Sequence, residues 1–218
     1  MHIMEGYLPV QHALGWFAVS APCVGYGLSR LSRQIRQNPS VRLELGACAG
    51  FAFTLSALKL PSLAGSSSHP TGMGIGVLVG PWAMAVLGTV VLLFQALFLA
   101  HGGLTTLGAN VFSMAIVGSW SAWGVHRLAV AIGLPRGLAL FSAAALSDLC
   151  TYATTSFQLG LAFPAATGGV WGSTAKFALV YLPTQLPLAV SEGLLTVFVI
   201  NLIGDASGAM PLQRLGKA

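Results

Sequence analysis

Apolar residues in this chain run in long unbroken blocks, each near the ~20 residues that a helix needs to cross a bilayer. The blocks cover Leu8 to Leu28, Leu43 to Leu60, Ile75 to Ala100 with a bend at Pro81, Leu107 to Trp123, and Leu138 to Gln158. A Gly-rich connection at 164–173 and Lys176 then open a sixth block, which ends near Pro183 to Pro187. A seventh covers Leu188 to Ile203. The two-residue alternation of a transmembrane β-barrel is absent. The pattern predicts an all-α, polytopic membrane helical bundle of about seven transmembrane helices, a single domain over residues 1–218. Gly46-x-x-x-Gly50 in the second block has the spacing that permits close helix contact. The blocks show no inverted repeat of the kind found in many secondary transporters.

Composition agrees with that pattern: 55% of the 218 residues are hydrophobic and 7% are charged, where soluble domains carry about a quarter charged. The net charge of +5 does not point to nucleic acid. Arg30, Arg33, Arg36 and Arg42 flank one short connection, the mark of a cytoplasmic loop. With seven spans, Lys176, Arg214 and Lys217 join that side, and Lys59, Arg127 and Arg136 fall near the outer face. The N-terminus is therefore expected outside the cell (inner) membrane and the C-terminus inside. Cys23, Cys48 and Cys150 sit in apolar blocks, are odd in number and read as small buried hydrophobes.

The chemistry begins at residues 1–9, MHIMEGYLP. This stretch has no basic residue and is unlike a secretory signal, so Met1 is expected to stay in place behind the bulky His2. The amine of Met1, the peptide nitrogen of His2 and His2 Nδ1 can close a five-membered and a six-membered chelate ring on one divalent metal. Loss of the peptide proton favours late metals such as Ni²⁺ and Cu²⁺, and three nitrogens held this way favour a planar site with one corner open.

His69 is the natural fourth ligand, in a Gly- and Ser-rich loop (61–74) expected on the same outer face. Pro70 restricts the backbone of His69, and Ser66 and Ser68 are placed to support the ring. Against this stands a solvated loop whose histidine does nothing. His101, in His101-Gly-Gly-Leu-Thr-Thr-Leu-Gly-Ala-Asn110, is expected near the cytoplasmic side, with a packing or supporting role. Asn110 and Ser113 share a helical face and can bond across helices. His12 can orient the N-terminal segment or decorate the interface, and His126 beside Arg127 marks a span boundary. Asp148 and Glu192 lie inside apolar blocks, where a charge suggests function. Two isolated acids make a thin proton relay, so polar glue to Thr151, Gln158 or Gln185 is preferred. His-Glu-x-x-His, Gly-x-Ser-x-Gly and a Gly-x-x-x-x-Gly-Lys-[Ser/Thr] ATP loop are all missing.

The segments Met1–Pro9, Ser68-His-Pro-Thr-Gly72, His101–Asn110 and Ser191-Glu-Gly-Leu-Leu195 together resemble the CbiM/NikM family nearly end to end. These are the substrate-binding (S) components of energy-coupling-factor (ECF) cobalt and nickel importers. The resemblance implies seven spans, no enzymatic activity, and Co²⁺ or Ni²⁺ as transported substrate. It implies metal held by the amine of Met1, the amide and imidazole of His2, and His69. The partners it implies are a membrane coupling protein, ATP-binding cassette ATPase subunits and a small accessory membrane protein. The whole-chain likeness leans to cobalt, for cobalamin synthesis, over nickel. The alternatives are a nickel-specific component of the same family, a stand-alone proton-coupled metal transporter using Asp148 and Glu192, and a membrane enzyme or scaffold that holds no metal.

Overall fold

The structure is a computed structural model and describes residues 2–58, 60–61 and 67–207. Met1, Lys59, Ser66, Arg214 and Lys217 lie outside the described residues. Two helices come first, α1 (Val10–Gln37) and α2 (Val41–Ala57). A two-residue antiparallel pair follows, β1 (Leu60–Pro61) and β2 (Ser67–Ser68), with Leu60 opposite Ser68 and Pro61 opposite Ser67. A 3-10 turn (Met73–Ile75) runs into the short α3 (Gly76–Val79), and α4 (Pro81–Phe98) follows. A single rod then combines α5 (Leu107–Asn110), a π-helical stretch (Val111–Gly118) and α6 (Ser119–Ala131). The chain closes with α7 (Arg136–Ala162) and α8 (Gly169–Ser207).

The block expected as one bent span, Ile75 to Ala100, is two passes. Gly80 adopts φ 85° and ψ 157°, a region that only glycine enters without strain, and there the chain turns back. The proof lies in what the hairpin joins. The rings of His69 and His101 are 4.8 Å apart, although α4 alone, at 18 residues, is about 27 Å long. The outward limb from His69 to Gly80 must cover that length, and it does so in a few extended residues plus the short helical turns of 73–79. Small residues make its burial possible. A Cβ on Gly74 would stand 2.5 Å from Ala144 Cβ, and one on Gly76 would stand 2.9 Å from Met84 Cγ. Met73, Ile75, Leu78 and Val79 join Cys48, Ala52 and Met84 in the main core.

The two blocks expected as sixth and seventh spans are instead one helix. The 39-residue α8 runs through Pro183 and Pro187 without a break. Pro183 and Pro187 lack the N–H groups that would bond the Leu179 and Pro183 carbonyls, a loss that helices tolerate inside a membrane bundle where neighbouring elements pack around them. Splitting one expected span and fusing two others leaves seven passes between the bundle ends among the described residues, so His2 and the end of α8 lie at opposite ends.

The basic residues redistribute accordingly. Arg30, Arg33 and Arg36 lie in α1 itself rather than in a loop. Together with Arg42, Arg127 and Arg136 they occupy the end remote from His2, while Lys176, near the start of α8, sits at the His2 end. Arg127 and Arg136 were expected on the side opposite Arg30–Arg42, and Lys176 on the same side as Arg30–Arg42. The Gly80 reversal exchanges these assignments. The arginine end also carries an aromatic row: Tyr26 on Trp82, Trp82 on Trp120, Trp120 on Trp123, and the Arg127 guanidinium 4.8 Å above Trp123. Such belts mark membrane interfaces.

Polarity is inverted relative to a soluble protein. Leu179, Leu186, Val190, Leu194, Phe198 and Leu202 are exposed along α8, whereas Gln95, Asn110, Asp148, Gln158, Gln185 and Glu192 are buried. Gly46 and Gly50 are exposed and would find nothing within 4 Å of an added Cβ, so the close contact that their spacing permits is not made among the described residues. Replacing Gly80 by Ala forces a side chain into that strained backbone. The variant should lose about 1–3 kcal/mol of stability, read as a lowered Tm in detergent.

Candidate metal centre

Three imidazoles meet at the end of the bundle where the chain begins. His2, His69 and His101 bring one ring nitrogen each to within 4.8 Å of one another. The His2 ring centroid lies 4.5 Å from that of His69 and 4.2 Å from that of His101. His101 was expected on the opposite side of the bundle. Because the chain reverses at Gly80, His101 returns to the level of His69 and joins the cluster.

The N-terminal segment is sewn into place by its backbone. Ile3 N–H donates to Asn110 Oδ1 at 2.8 Å, and Asn110 Nδ2 donates back to the Ile3 carbonyl at 3.1 Å. Thr106 Oγ1 donates to the same carbonyl at 2.7 Å. Glu5 N–H donates to the Gly102 carbonyl at 3.1 Å. The Glu5 carboxylate accepts from the amide and hydroxyl of Thr105, and that hydroxyl bond holds its carboxyl below the usual range. Asn110, read from the sequence as a supporting residue, therefore serves the N-terminal segment itself. Ser113 bonds only its own helix, at the Ala109 carbonyl.

Two glycines make this docking possible. Gly102 has φ 78°, and a Cβ there would stand 2.9 Å from His2 Cδ2. A Cβ on Gly103 would stand 2.5 Å from Glu5 Cα. The His-Gly-Gly triplet was thus a legible signal that another segment lies directly on this backbone.

The ring nitrogens are committed in a way that suits ligation. His69 Nδ1 donates to the Pro70 carbonyl at 2.7 Å, so the Nε2 lone pair is the one presented. That Nε2 stands 2.5 Å from His2 Nδ1. Neighbouring donors in a planar site with ~2.0 Å bonds stand about 2.8 Å apart, so the two atoms need separate by only a few tenths of an ångström to share an ion. Burial, followed by the charges of His69 and His101, holds the His2 imidazole well below the usual histidine range, and with His69 Nε2 accepting, the His2 Nδ1–H is the donor across that contact, a proton that an ion bound there would displace. Gln95, which the sequence reading did not single out, also interacts with the His2 ring. Its amide nitrogen donates to Ser56 Oγ. Sequence patterning offered no sign of Gln95, a lone polar residue late in an apolar helix.

The remaining expected residues separate cleanly. Ser68 is buried and its hydroxyl pairs with Thr184 Oγ1 at 3.1 Å, so it ties the loop to α8 and not to the cluster. His12 lies on α1 and lines an open surface cleft with Gln11, Trp16 and Leu161. Asp148 and Glu192 do not bond Thr151, Gln158 or Gln185. Neither Asp148 oxygen accepts a hydrogen bond, and Glu192 accepts from Thr71 and Gly74.

Asn110→Ala removes both side-chain bonds to Ile3 and frees the segment that carries His2. Divalent-metal affinity, measured by calorimetry on the purified chain, should fall by ~10-fold or more, as expected when groups that orient metal ligands are lost.

The chain is similar to known proteins over nearly its whole length. Over 202 residues the chain is 61% identical to Cobalt transport protein CbiM 2 of Pelobacter propionicus, covering 92% of this chain and 89% of that protein. It is 55% identical over 217 residues to Cobalt transport protein CbiM of Streptomyces coelicolor, covering 99% and 93%. Two solved structures share the fold at 23% identity. One is described as a transition metal transporter (TM-score 0.82, covering 98% of this chain and 97% of that one). The other is a truncated transition metal transporter (TM-score 0.79, covering 94% and 99%). Residues 2–210 match the family model described as the cobalt uptake substrate-specific transmembrane region, CbiM, and the chain belongs to that family.

Proposed function

We propose that this chain is the substrate-specific membrane component of an ATP-driven ECF-type importer, which captures Co²⁺ at the extracytoplasmic face of the cell membrane and delivers it for uptake. The observation that carries the reading is the convergence of His2 Nδ1 and His69 Nε2 at 2.5 Å, with the other nitrogen of His69 already bonded to Pro70. Covalent geometry supplies the rest of the ligand set. The amine of Met1 and the peptide nitrogen of His2 are separated from His2 Nδ1 by few enough bonds to close fused five- and six-membered rings. Binding releases the peptide proton, and the resulting all-nitrogen set suits late divalent metals. His101, the third imidazole, faces the same point and is placed as a further donor or a hydrogen-bond partner of the bound ion's ligands.

Orientation follows from charge. Six arginines gather at the end remote from the cluster and only Lys176, among the described residues, at the cluster end. By the positive-inside bias the cluster faces outward. The relatives named as cobalt transport proteins support cobalt as cargo; the donor set also accommodates nickel. The sequence has no ATP-binding loop, so ATP hydrolysis falls to cassette ATPase partners, joined by a membrane coupling protein and a small accessory membrane protein. A proton-driven transporter working alone through Asp148 and Glu192 is the competing reading. Vesicles holding only this chain would then accumulate Co²⁺ under a pH gradient, which the importer reading forbids.

Placing Gly-Ser ahead of Met1 displaces the terminal amine without touching His2. Co²⁺ affinity by calorimetry should fall as severely as in His2→Ala. His69→Ala should weaken binding less completely, since three linked donors remain. Undiminished affinity in the extended chain would end the chelate reading.

A further inference from the structure

We propose that Glu192 sets the strength of His69 as a metal ligand through the one peptide unit that joins Pro70 to Thr71. The proposal rests on the metal-binding reading given above and adds to it a residue 123 positions away in the chain.

His69 Nδ1–H donates to the Pro70 carbonyl at 2.7 Å. The N–H of Thr71, at the other end of that same peptide, donates to Glu192 Oε2 at 2.6 Å. A peptide unit is planar and conjugated from its oxygen to its N–H. A carboxylate pulling on the N–H end therefore increases the electron density at the carbonyl end. The richer carbonyl takes a stronger hydrogen bond from His69 Nδ1–H, and the electron density withdrawn from that N–H bond raises the basicity of Nε2. Oriented partners act on metal-bound histidines in this way when a carboxylate or carbonyl contacts the ring directly. Here the peptide is interposed between ring and carboxylate.

The surroundings make the effect strong. Glu192 is fully buried, and hydrogen bonds in such a medium polarise one another more than in water. Its carboxylate is held in direction by further donors. Thr71 Oγ1–H reaches Oε1 and Oε2 at 2.9 and 3.1 Å, and Gly74 N–H reaches Oε1 at 3.4 Å. Thr71 Oγ1 in turn accepts from Met73 N–H at 3.2 Å, which fixes the hydroxyl. A loop anchor alone would need any polar group of the right length at position 192. A ligand-tuning carboxylate needs the negative charge.

The experiment uses the whole chain in detergent with Ni²⁺ alone as probe, since a planar Ni²⁺ site reports ligand-field strength in its visible d–d band. Glu192→Gln keeps the length and an acceptor oxygen but removes the charge. It should weaken Ni²⁺ binding ~10-fold and move the band to longer wavelength, because Nε2 becomes a poorer donor. In a His69→Ala background the same change should cost nothing further, since additivity fails only where two residues act through one another. An unmoved band and affinity in Glu192→Gln, or an equal loss with His69 absent, overturns the proposal and leaves Glu192 as a structural anchor. Should Glu192→Gln fail to accumulate, Glu192→Asp, with the charge kept but the reach shortened, is judged by the same two outcomes. A His69→Ala chain that binds Ni²⁺ as tightly as wild type strikes instead at the metal-binding reading, and a wild-type chain that binds none removes both.

Discussion

Everything at the three-histidine cluster depends on the exchange of hydrogen bonds between Asn110 and the backbone of Ile3. A flexible N-terminus pays a backbone ordering cost of roughly 1–2 kcal/mol per residue. The segment stays docked because Asn110 and Thr106 satisfy both polar groups of Ile3, and because Ile3 and Leu8 bury against Ala13, Ala109 and Leu159. Each such bond contributes about 1 kcal/mol net, but leaving one buried partner unmet costs about 1–3 kcal/mol. The penalty for undocking thus exceeds what a count of bonds suggests. Once Ile3 is held, His2 has little choice of direction, and Gly102 leaves it the room.

The second dependence is on the reversal at Gly80. It lets residues 69 and 101 meet, and with them the loop that presents His69 and the loop that receives the N-terminal segment. The Gly72, Gly74, Gly76 and Gly88 contacts serve the same end, since a side chain at any of them would push the buried 73–79 limb out of the core. A polar centre is thereby enclosed at one end of a bundle whose exterior is apolar. Glu192 and Thr71 tie that limb to α8, and Ser68 and Thr184 tie the adjacent loop to it.

How far the pattern of apolar blocks could be read depends on what each boundary looks like. Block starts at Leu43, Leu107 and Leu138 return in the structure to within a few residues, whereas the helices that begin in the first and fourth blocks run on to Gln37 and Ala131, past the expected ends at Leu28 and Trp123. An unexpected turn at Gly80 and an expected break at Pro183 to Pro187 that is absent are places where local chemistry and tertiary packing disagree. A single glycine between apolar residues does not look like a turn, yet its backbone angles make one. Two prolines look like a break, yet a helix packed along its length against α7 absorbs them. The errors cancel in the number of passes but not in side assignment, which is why His101, Arg127, Arg136 and Lys176 all changed ends.

The sequence by itself determined the material of this protein: long apolar helical blocks, arginines gathered near a few of their ends, a Met-His pair at positions 1 and 2, and a histidine in a Gly- and Ser-rich stretch. Those are properties of composition and of covalent neighbours, and they hold whatever the fold. Only the tertiary structure decided which histidines share a site, which nitrogen of His69 is presented, and that Asn110, Gln95 and Glu192 stand behind them. Each of these depends on contacts between residues tens to more than a hundred positions apart. Such contacts are set by where the chain turns and by which small residues allow close approach.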